Sequence, residues 1–172
     1  PYEPRQRYWR IIARRAVLAA GAEERPVAFG GNDTPGVMLA SAMRAYANRY
    51  AAAAGKAIVV FTNSDSGYRT ARDMKAHGVH VEVIVDSRKE SKADDGGVPV
   101  IRGRMIADVT GKKCVSGVVP DDPSHINCDA VAMTGGWSPV VNLACPRRGR
   151  PTWDDKILAF VPPDDATEFT VT

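Results

Sequence analysis

The run at residues 57–62 (AIVVFT) constrains this chain more than any other feature. A continuous β-favouring apolar run without polar alternation is expected of a strand covered on both faces, which is the setting of a parallel sheet. The polar segment Asn63-Ser64-Asp65-Ser66-Gly67 follows it directly. Residues 68–77 then carry helical spacing and stop at Gly78, a natural helix C-terminal cap. Residues 79–85 (VHVEVIV) form the next strand, ending in Asp86. Strand, tight turn, helix, glycine and strand make a βαβ unit, whose crossover is expected to be right-handed.

Around that unit the pattern is weaker. Residues 8–13 (YWRIIA) read as a short strand with Arg14-Arg15 as its turn, and residues 16–20 as a second, ended by Gly21. Residues 30–36 (GGNDTPG) are turn chemistry and predict a linker. Met38, Leu39, Ala42, Met43, Tyr46 and Ala47 fall at helical spacing, which predicts an amphipathic helix over 37–50. Residues 87–97 are charged and glycine-ended, a loop or frayed helix. That is short where a doubly wound domain would place a crossover helix, so residues missing from this connection are one expectation. Residues 98–102 read as a strand, and 105–110 with 115–119 as a hairpin around Gly111-Lys112-Lys113. Residues 126–134 (INCDAVAMT) predict a further strand ending at Gly135-Gly136, and 159–161 another. The fold class expected is α/β: a Rossmann-like βαβ domain with an antiparallel hairpin.

Composition narrows function by exclusion. Apolar residues make up 44% and charged residues 25%, enough for a buried core. The net charge of +3 is small and mixed in sign. No basic stripe with interleaved aromatics points to nucleic acid; Arg147-Arg148 with Arg150, flanked by Pro146 and Pro151, reads as a solvated turn. Cys114, Cys128 and Cys145 share no CxxC spacing, and His77, His80 and His125 sit in no carboxylate pattern, so no metal site is expected. An odd cysteine count suits a reducing cytoplasm. No apolar run is long enough to span a membrane, and the first ten residues are not an export signal. The absence of an initiating methionine predicts a fragment.

The turn after residue 62 is where a dinucleotide fingerprint, G-x-G-x-x-G, would sit. Its glycines let backbone N–H groups approach a pyrophosphate at the helix N-terminus. Here the six positions are Thr62-Asn63-Ser64-Asp65-Ser66-Gly67, and only the third glycine survives, as Gly67. Ser64 brings a Cβ where backbone should touch phosphate. Asp65 would bring a carboxylate to an anionic ligand; Asp65 or Ser64 serves more simply as a helix N-cap. Asp86 stands where an acid would bond an adenosine ribose, although strand ends also carry Asp in ordinary turns. The unit alone reads as a scaffold that has lost tight pyridine-nucleotide binding.

Two further segments carry a resemblance. AVLAAGAEERP (16–26) is similar to the strand and turn that close the FAD domain of two-dinucleotide-domain flavoproteins before a second domain is inserted. DAVAMTGGWSP (129–139) is similar to the segment through which the second domain returns. AGAEERPVAFGGNDTPGVMLASAMRAYANRY, VVFTNSDSGYRTARDMKAHGV and TGGWSPVVNL resemble the α subunits of heterotetrameric sarcosine oxidases. The resemblance implies residues 1–26 as an edge segment of the first dinucleotide-binding domain, 27–150 as an inserted, degenerate NAD(P)-type domain, and 151–172 as the return segment. It implies a complex that oxidatively demethylates sarcosine and carries FAD, FMN and a tightly held NAD. Amine oxidation belongs to a flavin subunit. The partners implied are the other subunits of the hetero-oligomeric oxidase and the remainder of the α subunit, in the cytoplasm.

By the same resemblance, residues bordering NAD would be Gly21, Ala22, Glu24, Arg25 and Pro26 inbound, and Thr134, Gly135, Gly136 and Trp137 outbound. Small residues at strand ends let a cofactor approach the backbone. The other reading is that these glycines only permit chain crossings. Ser64, Gly67 and Asp86 are the remaining cofactor candidates. No residue is assigned a catalytic role: Tyr68, Arg69 and His77 have no partners visible in sequence. Two other functions stand beside this one: the NAD(P)H-binding domain of a pyridine nucleotide-disulfide-reductase-like flavoprotein, and a ligand-free interaction module presenting Trp137, Val140, Val141 and Leu143.

Overall fold

The computed structural model describes residues 5–14, 16–142, 144–145 and 149–162, and the backbone of 169–171. Arg15, Leu143, Pro146, Arg147 and Arg148 lie outside the described residues. In chain order the elements are β1 (Ala16–Leu18), β2 (Ala22–Glu24), β3 (Val37–Leu39), α1 (Ala40–Tyr50), β4 (Ala57–Thr62), α2 (Asp65–Ala76), β5 (His80–Asp86), β6 (Val100–Arg102), β7 (Ile106–Thr110), β8 (Gly117–Pro120), β9 (Ile126–Asn127), β10 (Ala130–Thr134), β11 (Trp137–Pro139), β12 (Thr152–Asp154), β13 (Ala159–Val161) and β14 (Phe169–Val171). They group into two compact units. One is Glu24–Trp137; the other is Pro1–Glu23 together with Ser138–Thr172.

The Glu24–Trp137 unit is built on a five-stranded parallel sheet in the order β3-β10-β4-β5-β6. Side chains alternate across a strand, and β4 shows why its run had to be apolar throughout. Ile58 and Val60 face a core shared with Ala40, Met43 and Ala47 of α1 and Tyr68, Ala71 and Met74 of α2. Val59 and Phe61 face the other way, against Ile106, Val109 and Val118 of the antiparallel β7-β8-β9 sheet. The sheet is therefore covered by helices on one face and by the small sheet on the other. The register of β5 slips against β4 between Ile58 and Val59. That slip puts Val81 and Ile84 in the helix-side core, with Val83 and Val85 opposite.

Several elements differ from the sequence expectations, each for a reason of pairing. Residues 37–39 are a strand, because β10 offers Val131, Ala132 and Met133 as parallel partners and the backbone follows the ladder instead of the helical spacing. The helix begins only at Ala40. Residues 126–134 divide: Ile126–Asn127 joins the antiparallel sheet and Ala130–Thr134 the parallel one. Residues 8–13 form no strand and are exposed. Residues 30–36 are no linker; Gly30 N–H donates to Ala107 O (2.9 Å) and Val109 N–H to Gly30 O (3.0 Å), holding the turn on β7. Helix α2 starts at Asp65, three residues before the expected Tyr68.

Residues 87–97 connect β5 to β6 without a helix. The loop is tied to α2 by Arg72 Nη1–Asp94 Oδ2 (2.6 Å) and by Lys75 Nζ donating to Gly96 O (2.8 Å). Ala93 and Val98 pack on the helix-side core. The loop thus covers the part of that face a third helix would have covered.

Asp129 fastens the start of β4 to that of β10. Its carboxylate accepts from Lys56 N–H (2.8 Å) and Ala57 N–H (2.9 Å). Asp129→Ala is expected to cost roughly 1–2 kcal/mol through these two charge-assisted bonds, and Asp129→Asn less. Urea melting of both variants checks the order.

In the second unit, β1 pairs in parallel with β14, and β12 pairs antiparallel with β13. Trp153 and Phe160 stack edge to face across that hairpin, centroids 5.2 Å apart. The strand expected at 159–161 is β13. Among the described residues no helix is long and apolar enough to cross a membrane.

Candidate functional site

The C-terminal rim of the parallel sheet gathers the polar residues. Thr134 of β10, Thr62 of β4, Asp86 of β5 and Arg102 of β6 are register partners in one row. Three of these, Thr62, Asp86 and Thr134, are at most 1% exposed, and only Thr70 joins them as a buried polar residue among those described. The rim at the C-terminal ends of the strands of an open α/β sheet, where the strand order reverses, is where such folds take ligands. This is also where the chain places its Thr62–Gly67 turn.

That turn is closed by its own side chains. Thr62 Oγ1 donates to Ser64 O (2.7 Å) and accepts from Ser64 N–H (3.0 Å). Ser64 Oγ lies 2.8 Å from Ser66 Oγ, which lies 3.3 Å from Thr134 Oγ1. Asn63 Nδ2 donates to Gly135 O (3.2 Å), tying β4 to the residue after β10. Ser64 occupies the N-cap position of α2 without a capping side-chain bond, and Asp65 is the first helical residue. Gly67 is required by packing. A Cβ there would lie 2.5 Å from Thr62 Oγ1 and 2.8 Å from Thr62 Cγ2. The surviving fingerprint glycine is kept for helix–strand approach.

Asp86 is engaged on both oxygens. It accepts from Tyr68 OH (2.8 Å) and Arg88 N–H (2.9 Å), and from Arg88 Nε (3.1 Å) and Nη2 (2.9 Å). The same guanidinium reaches Asp65 Oδ1 through Nη1 (2.8 Å) and Ser91 Oγ through Nη2 (3.2 Å). Hydrogen bonding to Asp86, ahead of that to Asp65, holds Arg88 charged well beyond its ordinary range. Burial, then the bond to Asp86, pushes the Tyr68 phenol up. Sequence spacing left Tyr68 without a partner because its partner is a strand away. Arg88 was missed altogether, although its place two residues after a strand-end acid was a usable signal.

The candidates around the chain crossings sort differently. Arg25 and Gly136 pair through Arg25 N–H to Gly136 O (2.9 Å), and Gly135 N–H donates to Arg25 O (2.7 Å). A Cβ on Gly135 would lie 2.9 Å from Arg25 O and 3.1 Å from Pro26 O, so the glycine permits the two backbones to touch. Glu24 Oε2 accepts from Ser41 N–H (2.8 Å), a carboxylate on the N-terminal turn of α1. Arg25, Thr134, Gly135 and Gly136 thus gather near Asn63, Ser64 and Ser66 at the rim, and Trp137 follows at the end of the unit. Gly21 and Ala22 belong to the other unit, where Val140 N–H donates to Gly21 O (3.0 Å).

No group of three metal-ligating side chains forms among the described residues. The three cysteines are free. Burial pushes the Cys128 thiol up to about 11, which makes it a poor nucleophile.

No family model matches the chain. Curated relatives do. The sarcosine oxidase α subunit of Rhizobium meliloti (strain 1021) is 45% identical over 164 residues, covering 93% of this chain and 17% of that protein. The sarcosine oxidase α subunit of Corynebacterium sp. (strain P-1) is 39% identical over 174 residues, covering 92% of this chain and 18% of the relative. The chain therefore spans less than a fifth of the curated relatives it matches. Among solved structures, L-proline dehydrogenase from P. horikoshii superposes with a TM-score of 0.71 at 20% identity, over 92% of this chain and 29% of that one. An FAD-dependent pyridine nucleotide-disulphide oxidoreductase from Desulfovibrio vulgaris superposes at 0.63 and 17% identity, over 94% of this chain and 46% of that one. The chain is thus similar to one segment of sarcosine oxidase α subunits, on a fold shared with FAD- and pyridine-nucleotide-dependent oxidoreductases.

Proposed function

We propose that this chain is part of the α subunit of a flavin-dependent sarcosine oxidase complex and serves in it as a nucleotide-binding-type scaffold domain. The observation that carries the reading is the 45% identity to the Rhizobium meliloti α subunit across nine-tenths of the chain. In this reading residues 1–26 and 151–172 are edge segments of a first dinucleotide-binding domain, and 27–150 the inserted one. A changeover between compact units at 23/24 supports the first of these boundaries, while the second changeover, at 137/138, falls before residue 150 and groups 138–150 with the edge segments.

The proposed complex carries FAD, FMN and NAD. Removal of hydride from an amine needs the flavin, and the protein contributes position and electrostatics. The inserted unit does not fit a dinucleotide at its own turn. Asp65 sets a carboxylate at the N-terminus of α2, and both oxygens of Asp86 are taken. NAD is therefore assigned mainly to the neighbouring domain, with Gly21, Ala22, Glu24, Arg25, Thr134, Gly135, Gly136 and Trp137 bordering it at the crossings. Partners are the remainder of the α subunit and the other subunits, and the free thiols support a reducing cytoplasm.

Two measurements test this. Titrating the chain with NAD, NADH and ATP by calorimetry is expected to show no heat of saturable binding; micromolar affinity for NADH would instead favour an NAD(P)H-binding reductase domain. Co-expression of the full α subunit with its flavin subunit is expected to give one co-purifying complex active on sarcosine. Failure to co-purify refutes the assignment.

A further inference from the structure

We infer that Arg88 is a built-in occupant of the nucleotide turn: its guanidinium takes the place a ribose and pyrophosphate would take, so that this unit is complete without a dinucleotide. The inference rests on reading the unit as a Rossmann-type domain and says what fills its site. In such a domain the ligand satisfies two features, the acid that ends the second strand and the positive N-terminus of the first helix. Both are satisfied here from within. Asp86 is fully buried and meets Arg88 at three donors and Tyr68 at one. The α2 N-terminus carries Asp65, which Arg88 also holds at 2.8 Å.

Geometry makes the arm a fixture. The guanidinium spans two carboxylates on different elements, from a loop that Ser91 itself braces by accepting from Ala93 N–H (3.1 Å) and Arg88 Nη2 (3.2 Å). Its centre lies 6.0 Å from the Tyr68 ring centroid. A buried carboxylate without a charged partner is strongly unfavourable, so any ligand taking Asp86 from Arg88 must replace a complete set of charge-assisted bonds. A ribose hydroxyl is a neutral donor and cannot. The pyrophosphate would meanwhile meet the Asp65 carboxylate.

The test uses the chain with NADH as the probe and thermal melting as the readout. Wild type is expected to melt at the same temperature with and without 1 mM NADH, the probe concentration at which a turn of about 10 μM affinity would raise the midpoint by roughly 5–10 °C. Arg88→Met is expected to melt roughly 10 °C lower, and Arg88→Lys to lie between. Asp86→Asn combined with Arg88→Met is expected to recover part of the loss, because the unpaired charge is gone; this variant keeps the test open if Arg88→Met does not fold. An NADH-dependent rise in wild type that Asp86→Asn abolishes overturns the inference, and so does an Arg88→Met chain that melts like wild type. The second outcome leaves the proposed function untouched, the first also counts against the scaffold role, and membership of the α subunit is decided separately by co-purification.

Discussion

Gly67→Ala is expected to lower the stability of the Glu24–Trp137 unit by about 1–3 kcal/mol, and Gly67→Val by more. Two effects compete at this position. Gly67 is the third residue of α2, and helix propensity alone would make alanine better by roughly 1 kcal/mol. Against that, the new Cβ would stand 2.5 Å from Thr62 Oγ1 and 2.8 Å from Cγ2 of a side chain only 1% exposed. Thr62 cannot swing away without breaking its bonds to the backbone of Ser64. The steric effect therefore sets the sign. Urea unfolding followed by circular dichroism measures it. A cycle with Thr62→Gly supplies the control: Gly67→Ala should cost clearly less when Thr62 is already trimmed. A Gly67→Ala chain as stable as wild type, or stabilised, shows that the helix does not pack on β4 as described.

Phe61→Ala is the second large effect, about 3–5 kcal/mol. Phe61 is 1% exposed and fills the core between the parallel sheet and the small antiparallel sheet. It meets Phe29 edge to face, centroids 5.6 Å apart, so truncation removes a ring pair as well as apolar area. A domain's whole stability is commonly 5–15 kcal/mol. The loss is thus expected to move the urea midpoint by a large fraction of its value. Phe61→Leu, which keeps most of the volume, should cost far less. Equal effects from the two variants would mean that this face of β4 is not packed against β7–β9.

The two substitutions probe the two faces of a single strand, and that strand was the clearest element in the sequence. Its apolar run required cover on both sides, and the cover came from different architectures: helices on one side, a three-stranded antiparallel sheet on the other. The helical spacing of 37–50 was legible too, but its first turn was taken by pairing. Val37, Met38 and Leu39 have a parallel partner in β10, 94 residues further along the chain, and no local pattern reports that. The strand expected over 8–13 failed for the converse reason: its apolar residues find no ladder among the described residues.

Sequence by itself determined the βαβ unit, the degenerate turn, the retained Gly67 and the likeness to sarcosine oxidase α subunits, because each is written in contiguous residues. Only the tertiary structure decided what the turn has become. Asp65, Tyr68, Asp86 and Arg88 lie on a helix, a strand end and a loop, and their meeting depends on β4 and β5 lying side by side in register. Local spacing fixes the period of a strand or helix over a few residues. The pairing that carries Arg88 to Asp65 and Asp86 is set by the packing of the whole sheet, which determines which groups must share a buried charge.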